Sequence, residues 1–223
     1  MKVFLEGYSF VGKTTLLNAL KEHDAPVSII DEHDVYANGI GNYPPFPSAT
    51  PADATENVTF FYNLEQIRRE DSVDATTALF DRSIFSVILF QKYIKSLQLP
   101  DHASAYEFAK EEAIRLIESD AVAVPDYVMY LNADYRDVVE RYGREISVGL
   151  LRGEVAHAFF QNEYEKIISI YEEYGRSLRI VSKNTPNSVD EQVASTLKAI
   201  EGWNLGDSND DVKAIALEVI NAL

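Results

Sequence analysis

The eight residues Gly7-Tyr8-Ser9-Phe10-Val11-Gly12-Lys13-Thr14 constrain this chain more than any other feature. They stand between Lys2–Glu6, a short run with apolar Val3, Phe4 and Leu5, and Lys13–His23, where Leu16, Leu17, Ala19 and Leu20 recur on a helical period. A strand, a tight turn bounded by glycines and a helix therefore open the chain. A strand that runs straight into a helix reaches its next neighbour by a crossover, which points to an α/β fold with parallel strands.

Two glycines, a lysine and a hydroxyl residue at this spacing match the phosphate-loop pattern. The backbone must turn sharply and approach phosphates closely, so Gly7 and Gly12 fall where a side chain would obstruct. Successive N–H groups and the following helix N-terminus then hold negative charge. Lys13 is expected to reach the β- and γ-phosphates and the Thr14 hydroxyl to coordinate Mg²⁺. The nucleotide-contacting residues are thus expected to be Gly7, Tyr8, Ser9, Phe10, Val11, Gly12, Lys13, Thr14 and Thr15, with ATP and Mg²⁺ as cofactors. The loop alone does not separate kinases from GTPases or motor ATPases, and no Asn-Lys-x-Asp guanine-reading motif is present.

Beyond the first helix, Val27–Ile30 reads as a strand that runs into the acids Asp31, Glu32 and Asp34. Residues 37 to 54 carry Pro44, Pro45, Pro47 and Pro51 with Gly39 and Gly41, and read as a loop over the site. Helical periodicity resumes over Asn57–Glu70, followed by a strand at Ala78–Asp81 and helices at Ile84–Leu97 and Ala105–Ser119. Val128–Leu131 and Leu178–Val181 supply two more strands, separated by helices at Asp134–Tyr142 and Val155–Tyr174. Helices near Val189–Ile200 and Asp210–Leu223 close the chain, joined by the linker-like Glu201–Asn209.

The expected architecture is a three-layer α/β sandwich around a mostly parallel five-stranded sheet, with ligands beyond the carboxyl ends of the strands. It forms one domain over residues 1–223, with a lid at 141–153 and an appended C-terminal helix at 209–223. The 46% apolar content fits a chain able to bury a sizeable core. Having no cysteine, it has no disulfide scaffold, thiolate metal site or thiol nucleophile. The net charge of -16 disfavours nucleic acid and anionic membranes as partners, so an anionic ligand needs a local cationic pocket. No apolar run is long enough to span a bilayer and the charged start is no signal peptide, so a cytoplasmic protein is expected.

The stretch Asp81-Arg82-Ser83-Ile84-Phe85-Ser86, at the end of the third strand, resembles the deoxynucleoside kinase and thymidylate kinase superfamily. Its Asp-Arg-Ser-Ile-Phe form looks most like bacterial deoxynucleoside kinases. Pro125–Leu131 with Val138, Val139, Glu140 and Arg141 resembles the fourth strand and lid approach of the same kinases. The resemblance implies that Arg82 holds the acceptor or the moving phosphate and that Asp81 sits near the metal. It also implies a carboxylate after the second strand that accepts the proton of the attacking hydroxyl, where Glu32 is favoured over Asp31. Lid arginines are implied at Arg141 and Arg144, with Arg152 a third candidate. After Tyr142-Gly143-Arg144-Glu145 the lid has fewer basic residues than the family pattern.

Phe60, Phe61, Tyr62 and Gln66 suit either base recognition or a buried aromatic stripe. The four histidines show no metal-ligand spacing, and only His33 falls near the site. The leading expectation is transfer of the ATP γ-phosphate to a small-molecule acceptor, the sugar hydroxyl of a nucleoside. A thymidylate-like monophosphate kinase and a non-catalytic ATP-binding regulatory module are the alternatives, and the chain admits a homodimer.

Overall fold

The three central strands of the sheet, Lys2–Glu6, Ala78–Asp81 and Tyr127–Asn132, are buried on both faces, the pattern of a sheet sandwiched between helices. The structure, a computed structural model, describes residues 1–23, 25–40, 44, 48, 50–98, 103–142, 153–185, 187–203 and 209–223. Five strands, β1 (Lys2–Glu6), β2 (Ser28–Ile30), β3 (Ala78–Asp81), β4 (Tyr127–Asn132) and β5 (Ser177–Val181), pair in the order β2-β3-β1-β4-β5. All four pairings are parallel, as expected. The order reverses at β1, whose flanking strands lead off in opposite directions and leave a crevice at its carboxyl end. Register sets Leu5 opposite Asp81 and Met129, so Glu6 and the phosphate loop emerge beside Arg82.

The helices are α1 (Lys13–Glu22), α2 (His33–Ile40), α3 (Pro51–Asp71), α4 (Ile84–Ser96), α5 (Ala103–Glu118), α6 (Tyr135–Tyr142), α7 (Glu154–Glu173), α8 (Ser188–Gly202) and α9 (Asn209–Ala222). Two departures fall in the segment read as a loop. The chain is helical from His33 through Ile40, where Ala37 is buried and α2 packs on α3. Helix α3 begins at Pro51, not Asn57, because Thr50 caps it in a reciprocal capping box with Asp53 and Pro51 takes the first helical position. Of the prolines in that segment, Pro45 and Pro47 lie outside the described residues.

The larger core joins β1, β3 and β4 to α1, α4, α5 and α7. A smaller cluster contains Phe4 and Phe80, register partners whose rings stack 4.2 Å apart. Helix α9 lies against α5 and α7, buries Val212, Ile215, Ala216, Val219 and Ile220, and is tied down by Tyr106 Oη donating to the Leu223 carbonyl at 2.6 Å. Among the described residues no helix is long and apolar enough to cross a membrane.

Candidate active site

The loop after β1 has the backbone its glycines require. Gly7 has φ +148°, and a Cβ there would stand 2.3 Å from the Leu131 carbonyl oxygen. Gly12 has φ +107°. Phe10 also takes a positive φ, +67°, a conformation that costs a bulky L-residue energy and is held by its surroundings. Tyr8, buried in the loop, packs edge-on against His157 at 5.2 Å and against Phe160 at 5.5 Å, anchoring the loop to α7. His157 in turn contacts the Ala133 carbonyl at 3.0 Å, just beyond β4.

Lys13, 5% exposed, donates from Nζ to the carbonyls of Gly7 at 3.1 Å and Tyr8 at 3.2 Å. Burial, aided by the charge of Arg82, lowers its ammonium to about 8, against the pull of Asp81 and Glu32. Thr14 and Thr15 are exposed in the first turn of α1, where backbone N–H groups gather.

Across the crevice, Arg82 is buried with φ +67°. Its Nε donates to Glu32 Oε1 at 2.5 Å, and its Nη1 to the Gly7 carbonyl at 3.0 Å and to Tyr164 Oη at 3.2 Å. Burial alone would raise the Glu32 carboxyl, but Arg82 and Lys13 hold it down at about 2. Asp81 is 3% exposed, and its Oδ1 is buried with no hydrogen-bond partner among the described residues. Burial raises its pKa, with Glu32 adding to the shift and Lys13 opposing it. The structure separates the two acids after β2: Glu32 turns to Arg82, while Asp31 pairs with Lys21 at 3.1 Å near the surface. Successive side chains of an extended segment point opposite ways.

The strained Asp81–Arg82 corner is fixed from behind by Arg68 of α3, whose side chain is wholly buried. Its Nη2 donates to the carbonyls of Asp81 at 2.7 Å and Arg82 at 3.0 Å, and its Nη1 to Glu65 Oε1 at 2.9 Å. His33 Nε2 lies 2.8 Å from the same Glu65 oxygen. Arg68, Glu65 and Tyr164 were not legible as site residues. Glu6 was also missed, although a lone acid ending an apolar strand directly before the phosphate loop was a readable signal.

Arg141, at the end of α6, reaches back to the phosphate loop: its Nη1 donates to the Val11 carbonyl at 3.0 Å and its Nε to Asn184. Arg144, Arg152 and the lid between them lie outside the described residues. Beside Arg141 opens a cavity of about 240 Å³, lined by Gly12, Thr15, Arg141, Ser182, Asn184 and Gln192 among others. No sequence motif marks this β5–α8 wall. Of the aromatic candidates, Tyr62 belongs to the core, its hydroxyl donating to the Ala109 carbonyl at 2.6 Å. Gln66 bonds within its own helix, and Phe61 meets His33 edge-on at 5.5 Å.

This parallel sheet, with the glycine-lysine-threonine turn at its switch point, shares its fold with three solved structures of thymidylate and deoxyadenosine kinases. Thymidylate kinase from Candida albicans superposes with a TM-score of 0.64 at 16% identity, covering 93% of this chain and 95% of that one. Deoxyadenosine kinase from M. mycoides, solved with products dCMP and a flexible dCDP bound, superposes with a TM-score of 0.61 at 16% identity, covering 91% of this chain and 100% of that one. Thymidylate kinase from Ehrlichia chaffeensis gives 0.51 at 15% identity, covering 90% and 98%. No protein-family model and no curated protein matches the sequence.

Proposed function

We propose that this chain is a cytoplasmic ATP-dependent kinase that transfers the γ-phosphate to the sugar hydroxyl of a nucleoside. The observation that carries this reading is the convergence of the phosphate loop, the buried Asp81 and the Glu32–Arg82 pair on one crevice. The loop amides and Lys13 bind the triphosphate, and Lys13 exchanges its carbonyl partners for phosphate oxygens. The cavity beside Arg141 takes the nucleotide's base, and Arg141 lies where it can meet the phosphate chain. Thr14 and the unpartnered Oδ1 of Asp81 form a donor set suited to Mg²⁺ held mainly by the phosphates. Magnesium, when bound, neutralises charge on the phosphate oxygens.

Glu32 accepts the hydrogen bond of the attacking hydroxyl and aims it. A carboxyl with a pKa near 2 is a weak base, which suffices because phosphoryl transfer is loose and the proton leaves late. Arg82 offsets charge on the moving group.

The acceptor is a nucleoside more readily than a monophosphate for an electrostatic reason. No lysine or arginine occurs between Lys21 and Arg68, the segment holding β2, α2 and most of α3, and Arg68 is buried with both Nη groups bonded to Glu65 and the Asp81 and Arg82 carbonyls. An incoming phosphate dianion would meet Glu32 with few cations to balance it. The similarity to deoxyadenosine and thymidylate kinases supports both acceptor classes, and this charge pattern favours the first. A coupled ADP-release assay on nucleosides and their 5′-monophosphates tests it. Nucleosides should turn over with kcat/KM at least about tenfold above monophosphates; preference for monophosphates would replace the acceptor, and ATP binding without turnover on either would leave a regulatory module.

A further inference from the structure

We propose that Tyr164 is a positioning residue for Arg82: its hydroxyl, anchored through Ser86 to the buried carboxylate of Glu6, fixes the guanidinium against the phosphate loop. The consequence for catalysis rests on the kinase reading above, whereas the positioning itself does not.

Glu6 is 1% exposed and stands directly before Gly7. A carboxylate in such a place must be satisfied by fixed donors. Ser83 and Ser86, at the start of α4, supply them: Ser83 Oγ donates to Oε1 and Ser86 Oγ to Oε2, the latter at 3.0 Å. Ser83 also caps α4, accepting from the Phe85 N–H at 3.1 Å, so the carboxylate sits at the positive end of that helix. Ser86 Oγ lies 3.2 Å from Tyr164 Oη, and Tyr164 Oη accepts from Arg82 Nη1. The same Nη1 donates to the Gly7 carbonyl, which closes a ring on the residue next to Glu6.

Burial raises the Glu6 carboxyl against the pull of Ser83, Arg82 and Ser86, and with Glu6 ionised every bond in this ring has one direction. Arginine only donates, and a hydroxyl carries a single proton. Ser86 gives its proton to Glu6, so it must accept from Tyr164, which in turn accepts from Arg82. Burial raises the Tyr164 phenol well above its ordinary range, which keeps that proton in place. The order Arg82 to Tyr164 to Ser86 to Glu6 ends on a carboxylate and therefore polarises along its length.

Arg82 needs this support. It sits in a left-handed backbone, and its Nε bond to Glu32 leaves the guanidinium free to swing about that contact unless Nη1 is held. Tyr164 is the one ring member on α7, where its ring packs near Tyr130 and Phe160. It thus ties the arginine to the helix that also carries the loop anchor His157.

Tyr164→Phe removes the hydroxyl and keeps the packed ring. Expected are unchanged affinity for MgATP, unchanged acceptor KM and a kcat lowered about tenfold, the loss of one hydrogen bond to a charged group in the transition state. Ser86→Ala should shift kcat the same way. A two-dimensional NMR spectrum of the arginine Nε–H groups provides a readout independent of turnover. The Arg82 resonance, identified by its loss in Arg82→Lys, should be protected from exchange in the wild type and exchange faster in Tyr164→Phe. An unchanged kcat in an active protein, or an unchanged Arg82 resonance in any case, overturns the proposal. Absence of transfer by the wild type sinks the kinase reading instead and leaves the resonance to decide.

Discussion

Replacing Arg68 by methionine tests the interior scaffold behind the site. Its guanidinium is wholly buried, donates to Glu65 and to the two carbonyls of the Asp81–Arg82 corner, and lies 3.2 Å from His33 Nε2. Methionine fills a similar volume, so the cavity term is small. What remains is Glu65, 0% exposed with only His33 as a partner among the described residues, and two carbonyls without this donor. Breaking a buried pair by removing one partner costs about 3–5 kcal/mol, much of the stability of a typical domain. Adding Glu65→Leu removes the stranded carboxylate. The double variant should then be more stable than Arg68→Met alone by about 2 kcal/mol, still below wild type because the carbonyls stay unpaired. Urea unfolding of all four proteins at pH 7 supplies the cycle. A single-variant cost below about 1 kcal/mol, or a double variant whose cost is the sum of the singles, would refute this account of the corner.

Further expectations follow from the same geometry. Gly7→Ala should destabilise by about 3–5 kcal/mol, because its Cβ meets a backbone oxygen at 2.3 Å in an unfavourable φ. Gly12→Ala should cost less, its Cβ meeting only side-chain atoms at 3.4 and 3.5 Å, while weakening MgATP binding more; thermal melts and nucleotide titrations separate the two. Lys13 has its folded pKa lowered to about 8 from 10.5, so the folded state sheds this proton first. Its contribution makes stability rise with pH between about 8 and 10.5. Phosphates should restore the charge, so MgATP binding near pH 8.5 should take up protons, read as a buffer-dependent calorimetric heat that Lys13→Ala abolishes. Glu32 has its carboxyl lowered from 4.5 to about 2. Its contribution to stability is present above pH 4.5 and lost as pH falls toward 2, and Glu32→Gln should flatten that limb of an acid titration followed by circular dichroism.

Much of this architecture was written locally. The alternation of apolar strand runs with helical periods, and the glycine-lysine-threonine turn, are short-range patterns that local sterics and burial suffice to produce. The start of α3 was legible too, in Thr50-Pro51 followed by Asp53, but four prolines close together drew the reading toward a loop. What the sequence hid was convergence. Arg68 and Gln66 share one helix and differ only in which face the tertiary packing buries, and neither composition nor period tells that one holds the Asp81–Arg82 carbonyls. The division of labour between Asp31 and Glu32 depends on where β2 ends relative to Arg82 and Lys21. The cavity at Arg141 needs Gly12 and Asn184, distant in sequence, to face one another.

The central claim is that the turn after β1 grips a nucleoside triphosphate together with magnesium. Calorimetric titration of the protein with ATP, with and without Mg²⁺, tests it most directly. Saturable binding that strengthens markedly with Mg²⁺ and is lost in Lys13→Ala is the predicted result. Heats indistinguishable from dilution in both conditions, for wild type as for the variant, would contradict it.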